Sequence, residues 1–154
     1  MLDPNSNAQV LLAEDDEDHV LLLQRALRSY PRAVKVIVAR DGQEALAMLL
    51  DGHLRPRLIL LDINMPKLNG FEVLRGLKAN PALSKIPTVM LTTSARDEDR
   101  EACKRDGADH FLTKPVNFRV FTRSLFEVLD LYLLDDGAGS IPREGPAARD
   151  REGA

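Results

Sequence analysis

Four groups of reactive side chains stand at the ends of short apolar runs of the sequence. The acids of residues 14–16 follow VLLA, Asp62 follows LILL, Thr92 ends TVMLT, and Lys114 follows HFLT. Carboxylates that are crowded together repel one another unless a cation lies among them. Mg²⁺ prefers oxygen ligands of this kind and often binds phosphate oxygens as well. The residue types therefore predict a site that binds Mg²⁺ and the oxygens of a phosphate group.

Phosphoryl transfer is the chemistry that these side chains could perform together. An aspartate can attack phosphorus to form an acyl phosphate, and Asp62 is the candidate nucleophile. The reaction mainly requires in-line positioning and neutralisation of the phosphoryl oxygens. A bound Mg²⁺, the ammonium group of Lys114 and the hydroxyl group of Thr92 would supply these.

Five strand and helix units must position the reactive groups. Apolar runs predict strands at 10–13, 34–39, 58–61, 88–92 and 110–113. Segments of helical period follow them at 17–30, 43–50, 70–79, 95–106 and 118–134. Nearly continuous apolar strands are typical of a parallel sheet covered on both faces, so we expect a three-layer, doubly wound α/β fold. Ligand sites in such sheets form beyond the carboxyl ends of the strands.

Composition limits the class of protein. The 154 residues suit one domain, and a net charge of -3 gives no broad attraction to nucleic acid or to anionic membranes. A single cysteine, Cys103, and the lack of a signal sequence or a membrane-spanning run predict a cytoplasmic protein. We expect a folded domain at 8–135. The stretch 136–154 is rich in glycine, proline and charge, which predicts a flexible C-terminal tail.

Four sequence blocks together resemble the signature of bacterial response-regulator receiver domains. They are LLAEDDED, LILLDINMPKLNGFEVL, IPTVMLTTSA and GADHFLTKPV, and they occur in the family's order between residue 8 and about residue 134. The resemblance implies a flavodoxin-like fold with a five-stranded parallel sheet and five helices. It also implies a non-enzymatic protein that accepts a phosphoryl group from a sensor histidine kinase and signals through protein contacts. Within the family, the sequence is most similar to small regulators paired with phytochrome-type kinases.

The resemblance also implies a role for each matching position. Asp62 corresponds to the phosphorylated aspartate. The implied Mg²⁺ ligands are Glu14, Asp15, Asp62 and the backbone carbonyl of Asn64. The implied phosphate-binding and switch residues are Thr92, Phe111 and Lys114, and a cis peptide bond is implied before Pro115.

Two positions depart from the common family pattern. Glu14 stands where many relatives have aspartate, and the run 14–16 leaves it open whether Glu14 or Asp16 contacts the metal directly. Phe111 stands where tyrosine is frequent, so its ring has no hydroxyl group.

Other interpretations concern the function and the remaining residues. A phosphatase of the haloacid-dehalogenase type is disfavoured, because it needs a second acid where this chain has Asn64. A phosphate-independent dimeric adaptor with the same fold is the remaining alternative.

The last predicted helix carries apolar residues on more than one side, which favours a homodimer contact through Phe118, Phe126, Leu133 and Leu134. The histidines show no metal-ligand spacing, so structural or surface roles are predicted for His19, His53 and His110.

Overall fold

Strands and helices alternate along the whole described part of the chain. The computed structural model describes residues 8–52, 54–93, 96–114 and 117–134. The first three units are β1 (Ala8–Ala13), α1 (Glu17–Arg28), β2 (Val34–Ala39), α2 (Gly42–Leu50), β3 (Leu58–Asp62) and α3 (Gly70–Lys78). The last two are β4 (Thr88–Thr92), α4 (Asp97–Arg105), β5 (His110–Thr113) and α5 (Phe118–Leu133). The predicted alternation is confirmed, with bounds that differ by two residues at most.

All five strands form one parallel sheet in the order β2-β1-β3-β4-β5. The chain moves from β1 to one side for β2 and then to the other side for β3. The strand order therefore reverses at β1, which in sheets of this type marks the edge where ligands bind. The predicted doubly wound α/β fold is confirmed.

Two apolar cores separate the layers because successive strand side chains point to opposite faces. Val10 and Leu12 of β1 face α1 and α5, whereas Leu11 and Ala13 face α2 and α3. The buried residues of β3 and β4 alternate in the same way. Both faces of the central strands are thereby covered, which fixes the register of β3 and leaves Asp62 as its last residue.

Helix α5 contributes to the first core along one face. Leu133, which the sequence analysis assigned to a dimer contact, is 4% exposed and belongs to the core of its own chain. Phe126 is half-buried and packs edge-on against the ring of Tyr30, with centroids 5.2 Å apart. The assignment of Leu133 is corrected, because its side chain is buried in its own chain, whereas the assignment of Phe126 stays a prediction. Exposed apolar groups are Phe118, Val120 and Leu131 on α5 and Leu134 directly after it.

Three sequence predictions concern residues outside the described ranges. They are the cis peptide bond before Pro115, the flexible tail at 136–154 and the role of His53. All three stay predictions. No helix among the described residues has the combination of length and hydropathy that a membrane span requires.

Candidate functional site

The reactive side chains converge at the carboxyl ends of the central strands. Glu14 directly follows β1, and its backbone N–H donates to the carbonyl of Ala39 at the end of β2, over 3.0 Å. Asp62 ends β3, and the next residue, Ile63, donates to the carbonyl of Leu91 in β4, over 2.9 Å. The strand ends are thus tied together by backbone hydrogen bonds, which place the acids of β1 and β3 side by side.

Three carboxylates form the centre of this site. Each of Glu14, Asp15 and Asp62 offers an oxygen, and these oxygens lie within 4.8 Å of one another. Glu14 and Asp62 are buried, with 1% and 5% of their surface exposed, whereas Asp15 is exposed. Two buried acids and one exposed acid together make a strongly negative cleft that opens to solvent on the side of Asp15.

Lys114 supplies the positive charge in this cleft. Its Nζ lies 3.1 Å from Oδ1 of Asp62 and donates a hydrogen bond to Oε1 of Glu14. The lysine side chain is only 9% exposed. Its backbone is anchored as well, because its N–H donates to the carbonyl of Thr92 over 2.6 Å. An ammonium group shared by two buried carboxylates offsets part of the repulsion between them.

The electrostatics of the cleft shift the titration of Asp62. Burial raises the pKa of Asp62 from its ordinary 3.8 to about 6. The positive charge of Lys114 lowers this pKa, and the negative charges of Glu14 and Asp15 raise it. Burial and like charges together outweigh the lysine. The carboxylate is still the main form at pH 7, so Asp62 keeps the charge that a nucleophile needs.

Asp16 has a different task from the two acids before it. Its Oδ1 accepts hydrogen bonds from the backbone N–H groups of Asp18 and His19, at 2.9 and 3.3 Å, and so caps the N-terminus of α1. Its own N–H donates to Oε2 of Glu14 over 3.2 Å. The pKa of Asp16 is lowered, first by the hydrogen bond from His19. The acids that face Asp62 are therefore Glu14 and Asp15.

The loop after Asp62 is held close to the end of β3 by Gly70. The N–H of Gly70 donates to the carbonyl of Ile63 over 2.8 Å, and a Cβ at position 70 would overlap the carbonyl oxygen of Asp62. A reciprocal capping box between Asn69 and Glu72 starts α3 at the same point. Asn64 lies in this loop with an exposed side chain. The assignment of its carbonyl as a metal ligand stays a prediction.

Thr92 and Phe111 occupy the two strands beyond Asp62. Thr92 is fully buried at the end of β4, next to Lys114 through the backbone hydrogen bond described above. Phe111 in β5 is half-buried, and the guanidinium carbon of Arg100 in α4 lies 4.9 Å from the centre of its ring. This distance is within the range of a cation–π contact. The contact ties the ring of Phe111 to α4.

The donor set fits a hard divalent cation. Carboxylate oxygens are the ligands that Mg²⁺ prefers, and it usually keeps several waters while using only a few protein ligands. Glu14, Asp15 and Asp62 could hold the ion, which would neutralise the acids and the oxygens of a bound phosphoryl group. This is the site that the sequence predicted for Mg²⁺.

Comparison with known proteins decides the family. The family model described as the response regulator receiver domain matches residues 10–126. The chain belongs to the response regulator receiver domain family. Receiver domains of this kind are in general signalling proteins rather than enzymes, and membership makes this chain a phosphorylation-activated response regulator.

Regulators related to phytochromes are among the similar proteins. Response regulator Rcp1 from Synechocystis sp. is 39% identical over 115 residues, which cover 71% of this chain and 78% of Rcp1. The structure of the phosphorylated cyanobacterial phytochrome response regulator RcpA is 31% identical, with a TM-score of 0.78, and covers 89% of this chain and 99% of RcpA. The Mn²⁺-bound structure of Rcp1 is 34% identical, with a TM-score of 0.75 and coverages of 88% and 99%.

The receiver site contains one residue that the sequence analysis assigned elsewhere. His19, predicted as a structural or surface group, places Nδ1 3.0 Å from Nζ of Lys114. The same nitrogen lies 3.6 Å from Oε2 of Glu14. His19 follows the capping residue Asp16 by three positions, in the first turn of a helix that starts at the strand ends. That spacing was the available signal, since a first-turn residue at this edge lies near the site.

Proposed function

We propose that this receiver domain accepts a phosphoryl group on Asp62. The observation that carries the proposal is the contact of 3.1 Å between Nζ of Lys114 and Oδ1 of Asp62 inside the acidic cleft. A carboxylate that merely capped a loop would need neither an ammonium group nor two further acids beside it. A carboxylate that must attack an anionic phosphoryl group needs positive charge at this place.

The chemistry is a single displacement at phosphorus. An oxygen of the Asp62 carboxylate forms the new O–P bond while the N–P bond of the kinase phosphohistidine breaks. The electron pair of that bond returns to the imidazole of the kinase. Lys114 is placed to neutralise an oxygen of the transferred group, and Glu14 and Asp15 are the proposed ligands, with Asp62, of Mg²⁺. The metal, when bound, supplies further charge neutralisation to the phosphoryl oxygens.

The proposed output is a change of surface around β4, α4 and β5. The hydroxyl group of Thr92 would donate a hydrogen bond to the phosphoryl group, and the ring of Phe111 would turn inward. In the present structure the ring of Phe111 contacts Arg100 of α4, so an inward turn would break that contact. Phosphate must bind the second arrangement better than the first, because only such a difference shifts a two-state equilibrium.

The proposal describes a switch and not a hydrolase. An aspartyl-phosphate hydrolase needs an acid or base that transfers protons at each turnover, and Asn64 at the second position after Asp62 cannot do so. We therefore expect labelling of the protein in single-turnover amounts, with slow release of phosphate. Rapid, repeated hydrolysis of a small phosphoester would contradict this part of the proposal.

Labelling with a small phosphodonor tests the proposal. The protein is incubated with acetyl phosphate and Mg²⁺, and its intact mass is recorded. We expect one phosphoryl group on the wild type, none on Asp62→Asn, and none when EDTA removes the metal. Asp18→Asn, which changes an exposed acid of the same acidic stretch, is the matched control and should be labelled like the wild type. An unlabelled wild type, or equal labelling of Asp62→Asn, would refute the proposal.

The proposed partner is a sensor histidine kinase of the phytochrome type. Similarity to Rcp1 and RcpA supports this choice, since RcpA is described as a phytochrome response regulator. A cytoplasmic location belongs to the proposal, because histidine kinases phosphorylate themselves with ATP. The free, buried thiol of Cys103 is compatible with a reducing compartment.

We also propose that α5 forms a homodimer contact through exposed apolar residues. By helical spacing, Val120 and Leu131 share one face of α5, and the C-cap residue Leu134 continues that face. Their exposed fractions are 53%, 41% and 43%. Glu127 lies on the same face between them. Phe118 lies on another side, where Arg25 of α1 is 5.7 Å from the centre of its ring. The apolar stripe of Val120, Leu131 and Leu134 is therefore the proposed surface.

A further inference from the structure

His19 lies in the cleft but has no role in the phosphoryl transfer proposed above. Its Nδ1 lies 3.0 Å from Nζ of Lys114, and its side chain is 33% exposed. The backbone of this residue is fixed, because its N–H donates to the capping carboxylate of Asp16 and the next residue, Val20, is fully buried. The imidazole therefore meets the lysine from a rigid first turn of α1.

A hydrogen bond between Nζ of Lys114 and Nδ1 of His19 needs one donor and one acceptor. An ammonium group has three N–H donors and no acceptor. Donation by the ammonium group therefore assigns the acceptor role to Nδ1 of His19, in the tautomer that carries its proton on Nε2. Nζ has polar contacts with Glu14 Oε1, Asp62 Oδ1 and His19 Nδ1. These three acceptors equal in number the three N–H donors of the ammonium group.

Phosphorylation would free only one of these three donors. Once an oxygen of Asp62 is bonded to phosphorus in the acyl phosphate, the carboxyl group loses its negative charge and becomes a weaker acceptor. The transferred group brings new anionic oxygens to the same place. The donor that faced Asp62 can turn to one of them while Glu14 and His19 keep the other two. Lysine carries its charge on a flexible four-carbon stem, so these two acceptors decide where the charge lies.

We propose that His19 is a positioning residue for Lys114: its Nδ1 accepts a hydrogen bond that holds the ammonium group beside the phosphoryl site of Asp62. The inference rests on the proposed function, because it concerns the lysine that neutralises the transferred phosphoryl group. Glu14 alone does not define the position, since rotation about a single hydrogen bond lets the ammonium group swing. A second acceptor on a different element, α1, removes that freedom.

Two substitutions separate acceptance of a hydrogen bond from simple packing. Asn places an amide oxygen where His19 has Nδ1, so His19→Asn retains an acceptor at that position, whereas His19→Leu keeps similar bulk without one. We expect the maximal rate of labelling by acetyl phosphate in saturating Mg²⁺ to fall about tenfold in His19→Leu, the effect of one hydrogen bond to a charged group. His19→Asn should stay within about threefold of the wild type. Leu22→Asn, one turn further along α1 and exposed, is the control and should label normally.

Nuclear magnetic resonance of the ring nitrogens gives a readout that needs neither metal nor phosphate. At about pH 8, where an ordinary imidazole is neutral, we expect the metal-free protein to show the Nε2-protonated tautomer of His19. In Lys114→Met, which removes the donor but keeps a long side chain, we expect a mixture of tautomers or a shifted Nδ1 resonance. A proton on Nδ1 in the wild type would overturn the inference, as would an identical spectrum in Lys114→Met.

The kinetic outcomes distinguish the two proposals. An unlabelled wild type would refute the phosphorylation of Asp62 and the inference with it. Normal labelling of the wild type together with normal labelling of His19→Leu would overturn the inference alone. Equal loss in His19→Leu and His19→Asn, with unchanged thermal unfolding, would also overturn it, because an amide acceptor would then have restored nothing.

Discussion

At the scale of single residues, the site depends on an acid that is buried among other acids. Asp62 is 5% exposed, Glu14 is 1% exposed, and Lys114 is the ammonium group that contacts both. Burial raises the pKa of Asp62 to about 6. The positive charge of one lysine lowers this pKa but does not fully offset two buried carboxylates. The negative charge is kept in the fold for its reactivity, and its burial disfavours the folded state.

The shift of Asp62 has a consequence for stability. Between the unfolded pKa of 3.8 and the folded pKa of about 6, the folded protein binds more protons than the unfolded chain. The free energy of unfolding therefore falls as the pH rises through this window. Replacing Asp62 by Asn removes the charge, so we expect a gain on the order of 1–3 kcal/mol at neutral pH.

This gain should depend on pH and on metal. Urea unfolding of the wild type and Asp62→Asn in EDTA, from about pH 4 to about pH 8, measures it. We expect the difference between the two proteins to shrink toward pH 4, where Asp62 is protonated in both states. Saturating Mg²⁺ should reduce the difference at neutral pH, because it binds the wild-type acids. A difference that is constant over the whole pH range would contradict this account of the cleft.

At the scale of the elements, the sequence contained most of the information on the strands and helices. Apolar runs such as LILL have few alternatives to a strand covered on both faces, and the structure extends β3 by only Asp62 itself. Helix α4 was the hardest to delimit. It begins at Asp97 after Arg96, a residue without a side-chain capping bond, and Cys103 is its only residue buried in the core. A helix with so little packing leaves little pattern in the sequence.

Gly70 joins two elements at the site. It starts α3 directly against the carbonyl of Asp62, so the added methyl group of Gly70→Ala must displace backbone. We expect a loss of about 1–3 kcal/mol in the free energy of unfolding, together with weaker Mg²⁺ binding, because the end of β3 must shift.

Gly76 offers a matched control on the same helix. A Cβ there would lie 3.1 Å from a methyl carbon of the Leu46 side chain, which can adjust, and alanine favours a helix interior. Gly76→Ala should therefore change stability little and leave Mg²⁺ binding intact. Urea unfolding and calorimetric titration with Mg²⁺ measure both quantities. Equal effects of the two substitutions would show that Gly70 has no particular role at the end of β3.

At the scale of the whole molecule, the convergence of the site followed from topology alone. Once five parallel strands are predicted, the groups at their carboxyl ends must meet at one edge of the sheet, and Glu14, Asp62 and Lys114 do so. The contact of His19 with Lys114 did not follow, because it depends on the path of two side chains whose residues are 95 positions apart in the sequence.

The apolar excess of α5 shows the same limit. Periodicity identified extra apolar residues but could not tell which of them other elements cover. The ring of Tyr30 packs against one side of Phe126, and Leu133 is buried in the core of its own chain. Such partners come from distant parts of the chain, so only the packed structure assigns them.

The remaining stripe on α5 predicts a dimer that a charge would disrupt. Sedimentation of the wild type over a range of concentrations should show a monomer and dimer equilibrium that beryllofluoride with Mg²⁺ shifts. Leu131→Glu, which places a charge at the centre of the stripe, should sediment as a monomer under both conditions. Leu50→Glu changes an exposed leucine on α2, outside the stripe, and is the control. An assembly state that beryllofluoride leaves unchanged would favour a phosphate-independent adaptor, and a dimeric Leu131→Glu would place the contact elsewhere.

The most direct test of the central claim is to locate the phosphoryl group on the chain. After reaction with acetyl phosphate and Mg²⁺, borohydride reduces an aspartyl phosphate to homoserine, which peptide mass spectrometry identifies by position. The account predicts homoserine at position 62 and unmodified acids at 14–18. Homoserine at Asp15 or Asp16, or no reduced residue in a protein that has taken up phosphate, would contradict it.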